Sequence, residues 1–408
     1  MRKLLKDTAG YVLLNYLATA VTTVRGILLI GLLTPFNLGI YKLIFTYTSY
    51  FRYYNLGLNA LAFYRAPLKR LEYSYSVLLR NINTTLAIAF GLIFTAIFSI
   101  FWWGTLADQG LLDLIFWIFV ILFFTQLGET FLTISKIYRR FPLVSAYNIL
   151  FASLSMALMV LLGYYFELRG VVLGLALATV ISCIFVMSRL PKQPLSLLGN
   201  FRFKIRTLLK HSILTIIPGM LTVLFSTVEI WIIAYKYGAV ETGFYAVVST
   251  VVSLILMLNT DGMVFIYSKK SADLKNDKRM VWRLSAVAFV FVTVVCAACA
   301  LTLQWAMGVF FPKYIPAADI FMICFWGIPF LVFRNVILYY IANKKLRLIS
   351  YVLFSLLVLK TAVLALITDK HGFYTSLAGL NAVYGISLLI LLYFKNVQPK
   401  AESETDFR

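Results

Sequence analysis

Six ionisable side chains stand inside stretches otherwise made of apolar residues: Arg25, Arg52, Arg334 and Lys360, with Glu129 and Glu229. A guanidinium is planar and can give two hydrogen bonds to one phosphate, so arginines in such settings suit an oxyanion. A carboxylate there can hold a cation in a salt bridge, or take up a coupling proton or sodium ion. Structural bridges Arg25–Glu129 and Glu229–Arg334 are the plainer alternative. Lys360 has no acidic residue near it in sequence and is the better candidate for a ligand contact.

Polar residues accompany these charges at helical spacing. Ser212, Thr215, Gly219, Thr222, Ser226 and Glu229 follow one another at 3, 4, 3, 4, 3 and so form one helix face. Thr8, Tyr11, Asn15, Ala18, Thr22 and Arg25 make a similar face, and Thr48, Arg52, Asn55 and Asn59 a third. Asn15, Thr22, Asn55, Thr222 and Ser226 are therefore expected to line a shared polar interior. Hydroxyls alone would fit helix-to-helix packing equally well.

Other chemistries find little support. Cys183, Cys296, Cys299 and Cys324 all lie in apolar runs, and the Cys296–Cys299 spacing reads as two small residues on one helix face. His211 and His371 fall at predicted helix ends without partners at metal spacing, so no metal site is expected. The loops are too short for the extramembrane catalytic segment of a polymerase, ligase or glycosyltransferase, and Asp108 and Asp113 are the one close acidic pair in the outer loops. No enzymatic role is expected. The aromatic cluster Phe45, Tyr47, Tyr50, Phe51, Tyr53 and Tyr54 could pack against sugar rings, but residues on every side of one helix fit packing and lipid contact better.

The elements that must position these groups are membrane helices. The chain is 62% hydrophobic and 13% charged, against about 25% charged residues in soluble domains. Its mean hydropathy is +0.89. Apolar runs of about 20 residues indicate spanning helices rather than barrel strands. Twelve are read, near 9–33, 41–63, 82–103, 112–132, 143–165, 170–188, 212–235, 243–266, 283–305, 316–341, 349–367 and 373–394. The first is long enough to span and is read as an uncleaved helix rather than a signal peptide. The net charge of +21 suggests nucleic acid until its placement is followed. Lys and Arg crowd the two tails and alternate loops, while the opposite side holds only Lys42, Arg169, Lys236, Lys313 and Lys370. That bias places both termini in the cytoplasm and removes the nucleic-acid reading. Trp102, Trp103 and Trp305 end spans, where interfacial anchors belong. Pro218-Gly219 and Pro329 predict bends.

The spans repeat. Gly39-Ile40-Tyr41 and Asn55 recur as Gly243-Phe244-Tyr245 and Asn259, a shift of 204, which also takes Arg25 onto Glu229. A shift of 205 takes Arg139-Arg140 onto Lys344-Lys345, Ser145 onto Ser350 and Glu129 onto Arg334. The expected fold is all-α and integral to the membrane, two six-helix bundles related by a pseudo-twofold axis along the membrane normal. The first lobe is placed at 1–200, the second at 201–395 and a cytoplasmic tail at 396–408.

The stretch LLTPFNLGIYKLIFTYTSYFRYYNLGLNALAFYR (32–65), with Gly39, Tyr41 and Asn55-Leu56-Gly57, resembles the first hairpin of polysaccharide flippases of the multidrug/oligosaccharidyl-lipid/polysaccharide exporter superfamily. KYGAVETGFYAVVS (236–249) and FPKYIPAADIF (311–321) are similar to elements of their second half. Twelve spans favour the O-antigen type. The resemblance implies a V-shaped pair of lobes in the bacterial inner membrane. It implies an undecaprenyl-diphosphate-linked oligosaccharide turned from the cytoplasmic to the periplasmic leaflet, in membrane lipid and beside a polysaccharide polymerase and other assembly proteins. Arg25 matches a cationic cavity position of the family; Arg52, Arg334 and Lys360 would support it. Glu129 and Glu229 would hold these cations or take up a proton or sodium ion, and no other cofactor is implied. A cation-coupled drug or metabolite exporter is the alternative on the same scaffold.

Overall fold

The structure is a computed structural model. It describes the backbone of residues 2–51, 58–59, 72–190, 205–269, 278–333 and 346–396, with the side chains of 1–13, 72–75, 205–216, 257–281, 284, 333, 346–349, 367–371, 376 and 387–396 outside the description. Arg52, Asn55 and Arg334 lie outside the described residues, as do the side chains of Thr8, Tyr11, Ser212, Thr215, His211 and His371. The described residues are helical, with no strand among them. They divide into two compact units, Met1–Ile216 and Ile217–Arg408.

The first unit holds α1 (Arg2–Leu32), α2 (Pro35–Tyr50), α3 (Glu72–Asp108), α4 (Leu114–Ile137) and α5 (Phe141–Arg189). Thr34 starts α2 by accepting from Asn37 N at 3.3 Å, and Pro35 follows where its missing N–H costs nothing. α5 is two helices joined at Phe166 and Glu167, the latter at φ +48°, so the spans read at 143–165 and 170–188 are one hairpin. The two arms approach closely because Gly170 and Gly174, four residues apart, face the backbone of Leu162 and Leu158. A Cβ at Gly174 would stand 2.7 Å from the Leu158 carbonyl. Small residues at this spacing are a membrane-helix packing device. Asn37 donates to Glu167 Oε2 at 3.1 Å, and Arg169 pairs with Asp113 at 3.3 Å while also donating to Gly110 O. These contacts join the α1–α2, α3–α4 and α5 turns at one end of the unit.

The second unit begins within α6 (Ile205–Tyr237) and continues with α7 (Ala239–Lys269), α8 (Lys278–Phe310), α9 (Ile315–Cys324) and α10 (Leu346–Asn396). α6 stays helical through Pro218. The second predicted bend is a break. α9 stops at Cys324 and the chain resumes as a 3-10 turn over Ile328–Phe333. Pro329 removes the hydrogen bond to the carbonyl of Phe325 and its ring crowds that carbonyl, which is where the helix ends. α10 is broken at Gly372, whose φ of +81° a side chain would resist, giving the spans read at 349–367 and 373–394.

Seven helices among the described residues are long and apolar enough to cross a membrane. Leu301 is 83% exposed, Ile100 77% and Phe101 73%, on helices whose outward faces are apolar. Such surfaces belong against lipid rather than water.

Candidate functional site

Each unit carries a buried charged position, and the two are related by the internal repeat. In the first, Arg25 on α1 is 5% exposed. Its Nη1 donates to Ser155 Oγ on α5 at 2.6 Å. Ser155 has already given its own proton to Ala152 O at 3.0 Å, which leaves the hydroxyl oxygen free to accept. Three turns earlier, Asn15 accepts from Asn148 Nδ2 at 2.8 Å. The α1 stripe thus rests on the first arm of α5. Thr22 is exposed and turns its hydroxyl back to Ala18 O at 2.9 Å.

Arg25 has no carboxylate partner among the described residues, and the bridge to Glu129, the plainer alternative, is not formed there. Glu129 lies half-buried on α4. It belongs to a polar stripe that the sequence reading passed over: Thr125, Gln126, Glu129, Thr130 and Thr133. Asn83 on α3 donates from Nδ2 to Asn59 Oδ1 at 2.7 Å and to Thr130 Oγ1 at 3.1 Å. Gln126 is fully buried, with neither amide atom bonded to a described residue.

In the second unit the same place is occupied by an ion pair. Glu229 on α6 is 5% exposed and Lys360 on α10 is fully buried, and the two side chains meet directly. Lys360 Nζ also donates to Phe225 O at 2.5 Å and to Tyr384 Oη at 3.2 Å. Its three protons are thereby all engaged. The ammonium lies 4.6 Å from the centre of the Phe225 ring and 5.1 Å from that of Tyr384, so aromatic faces share its charge. Tyr245 donates to Glu229 Oε1 at 3.3 Å. Lys360 is the cation that Glu229 meets among the described residues; Arg334, offered as the alternative partner, lies outside them.

The repeat explains the correspondence. Arg25 maps onto Glu229 and Tyr41 onto Tyr245 at a shift of 204, while Ser155 maps onto Lys360 at 205, the shift that takes Ser145 to Ser350. Arg25 with Ser155 and Glu229 with Lys360 are thus one site built twice. Tyr41 lies within electrostatic reach of Arg25, as Tyr245 does of Glu229. The first copy keeps a cation with a neutral partner, and the second is internally neutral.

A cavity of about 180 Å³ adjoins the pair in the second unit, lined by Thr222, Ser226 and Glu229 of the α6 stripe together with residues of α7, the 3-10 turn and α10. Gly327 lets this segment pack closely on α10, since a Cβ there would run into Asn381 Oδ1 and Tyr384.

No family model matches the sequence, and no curated protein does. Solved structures do. An inward-facing multidrug-resistance MATE transporter of the MOP superfamily matches with a TM-score of 0.64 at 12% identity, covering 92% of this chain and 93% of that one. The lipid II flippase MurJ in an inward closed conformation matches at 0.67 and 13% identity, covering 95% and 88%. An outward-facing MATE transporter matches at 0.57 and 14%, covering 95% and 93%. The chain has the MOP-transporter fold. The all-α membrane fold expected from the sequence is the one found, and it is shared with multidrug-resistance MATE transporters and a lipid II flippase.

Proposed function

We propose that the chain is a flippase for an oligosaccharide carried on a lipid diphosphate, working in the bacterial cytoplasmic membrane by alternating access. Arg25 carries this reading. An arginine at mid-membrane costs roughly 2.5–3.5 kcal/mol on insertion scales, and it is retained where a partner or a wet cavity offsets that cost. Arg25 has one hydroxyl partner and no carboxylate among the described residues, so its remaining donors suit a phosphate oxygen.

A diphosphate sugar cannot cross hydrocarbon alone, whereas its polyprenyl tail can stay in lipid. The protein supplies a polar route for the head group that opens to each side in turn. Arg52 and Arg334 are assigned to support the diphosphate, with Lys360 in reserve against Glu229. Glu129 is assigned to a coupling proton or sodium ion. A polysaccharide polymerase and other assembly proteins are the expected partners. The drug-exporter alternative fits less well, because Glu229, which could attract a cationic drug, is already neutralised by Lys360.

The test is complementation of a flippase-null strain with Arg25→Ala at normal membrane abundance. Loss of surface polysaccharide is expected. Full restoration by Arg25→Ala would overturn the assignment.

A further inference from the structure

The second-unit cavity is lined by acceptors whose own protons are committed elsewhere. Thr222 donates to Pro218 O at 2.7 Å and Ser226 to Val223 O at 3.0 Å. Across from them on α7, Ser249 donates to Ala246 O at 2.9 Å and Ser253 to Ser249 O at 2.6 Å. Each hydroxyl has a single proton and gives it to its own helix, so each turns lone pairs toward the cavity. Asn381 adds a further acceptor, with one of its two amide hydrogens given to the backbone. Its Nδ2 donates to Ile323 O at 2.6 Å, and its Oδ1 is buried without a partner among the described residues. The one strong donor, Lys360, is consumed by Glu229, Phe225 O and Tyr384.

An acceptor-lined cavity takes a ligand rich in donors. Such a ligand is either a cation or a neutral polyol, and charge decides between them. Glu229 and Lys360 are the ionised groups among the described lining residues, and they cancel. A cation entering beside them would either stand uncompensated in a low-dielectric site or have to displace a tethered ammonium from Glu229. A polyol keeps the site neutral. Phe225, Phe330 and Tyr384 supply apolar carbon for the C–H faces of a ring. The volume of about 180 Å³ is well below the roughly 300–1,000 Å³ of drug-sized pockets. That is room for one small ring. Exposed Ser226 and Ser253 stand at the mouth.

We propose that this cavity is a subsite for a single neutral sugar ring. The proposal rests on the flippase reading for its source of sugar, but its chemistry is separately testable. Binding of glucose, galactose, mannose and N-acetylglucosamine to the purified full-length protein in nanodiscs would be measured by saturation-transfer NMR, beside glucosamine, glucuronate and sodium. At least one neutral sugar is expected to bind saturably and more tightly than the charged probes. Ser226→Ala/Ser253→Ala removes two acceptors at exposed positions and should weaken it about 25-fold, fivefold for each hydrogen bond lost. Ser226→Thr, which keeps the oxygen, should stay near the wild type. The proposal is overturned if no neutral sugar binds, if the double variant binds as the wild type does, or if glucosamine or sodium binds more tightly. In cells, loss of transport in Arg25→Ala alongside unchanged sugar binding in Ser226→Ala/Ser253→Ala would sink the subsite and leave the flippase reading standing. The converse pattern would sink the flippase reading alone.

Discussion

Replacing Lys360 with Met keeps most of the side-chain volume and removes an ammonium that has no exposed surface of its own. Among the described residues Glu229 would then be left with the Tyr245 hydroxyl at 3.3 Å, a long hydrogen bond. Its side chain is 7% exposed, and the cavity beside it gives water limited access. Breaking a buried pair in this way costs about 3–5 kcal/mol, chiefly the penalty of one uncompensated charge. Glu229→Gln should cost a similar amount by stranding Lys360. The double variant Lys360→Met/Glu229→Gln strands nothing and should lie within about 1 kcal/mol of the wild type, or above it, as replaced buried pairs often do. The coupling energy is then about 5 kcal/mol or more, the two single costs less that of the double variant. In a unit of this size each kcal/mol shifts the midpoint by about 2–4 °C, so each single variant should melt roughly 6–20 °C lower. Thermal unfolding of purified protein, followed by tryptophan fluorescence, measures all four corners of the cycle. A double variant melting below both singles, or a Lys360→Met shift of under about 2 °C, would refute the reasoning.

Gly174→Leu forces a side chain against the Leu158 backbone and should cost about 3 kcal/mol, the upper end for overpacking, read as a lowered midpoint. Gly104→Ala is its control: a Cβ at Gly104 meets nothing within 4 Å, and the midpoint should hold or rise slightly. Gln126→Met replaces a buried amide that has no partner among the described residues, and should leave stability unchanged or improved in the same assay. Arg25→Lys keeps the charge but not the planar fork, so partial restoration of surface polysaccharide is expected where Arg25→Ala gives none.

Much of this fold was legible because lipid imposes a simple rule: long apolar runs become helices, and basic loops stay on one side. The joints were harder. Gly372 and Pro329 announce breaks through backbone chemistry, but Phe166-Glu167 carries neither residue. Its turn follows from the Gly170 and Gly174 contact that folds the arms together, a cause that lies downstream of the bend. The charged positions were legible one by one and their partners were not. Glu229 and Lys360 are far apart in sequence, so no local spacing joins them. The repeat could have done so, since the shift that superposes Ser145 on Ser350 also places Lys360 opposite Ser155. The α6 hydroxyl stripe was visible as a face, while the direction of its protons depends on local backbone carbonyls that spacing does not specify. Arg52, Asn55 and Arg334 fall outside the described residues, and their roles rest on the sequence.

The Lys360–Glu229 pair has one more consequence, for energetics across the membrane. An elementary charge carried through the transmembrane field is worth about 2.3 kcal/mol per 100 mV, and a bound pair of opposite sign contributes almost nothing. Tethering the cation to the chain therefore makes this site of the second unit nearly blind to voltage, whatever path it follows. Arg25, whose partner among the described residues is the Ser155 hydroxyl, has no such shield there. At these two matched positions the membrane potential can pull on the first unit and has little to grip in the second.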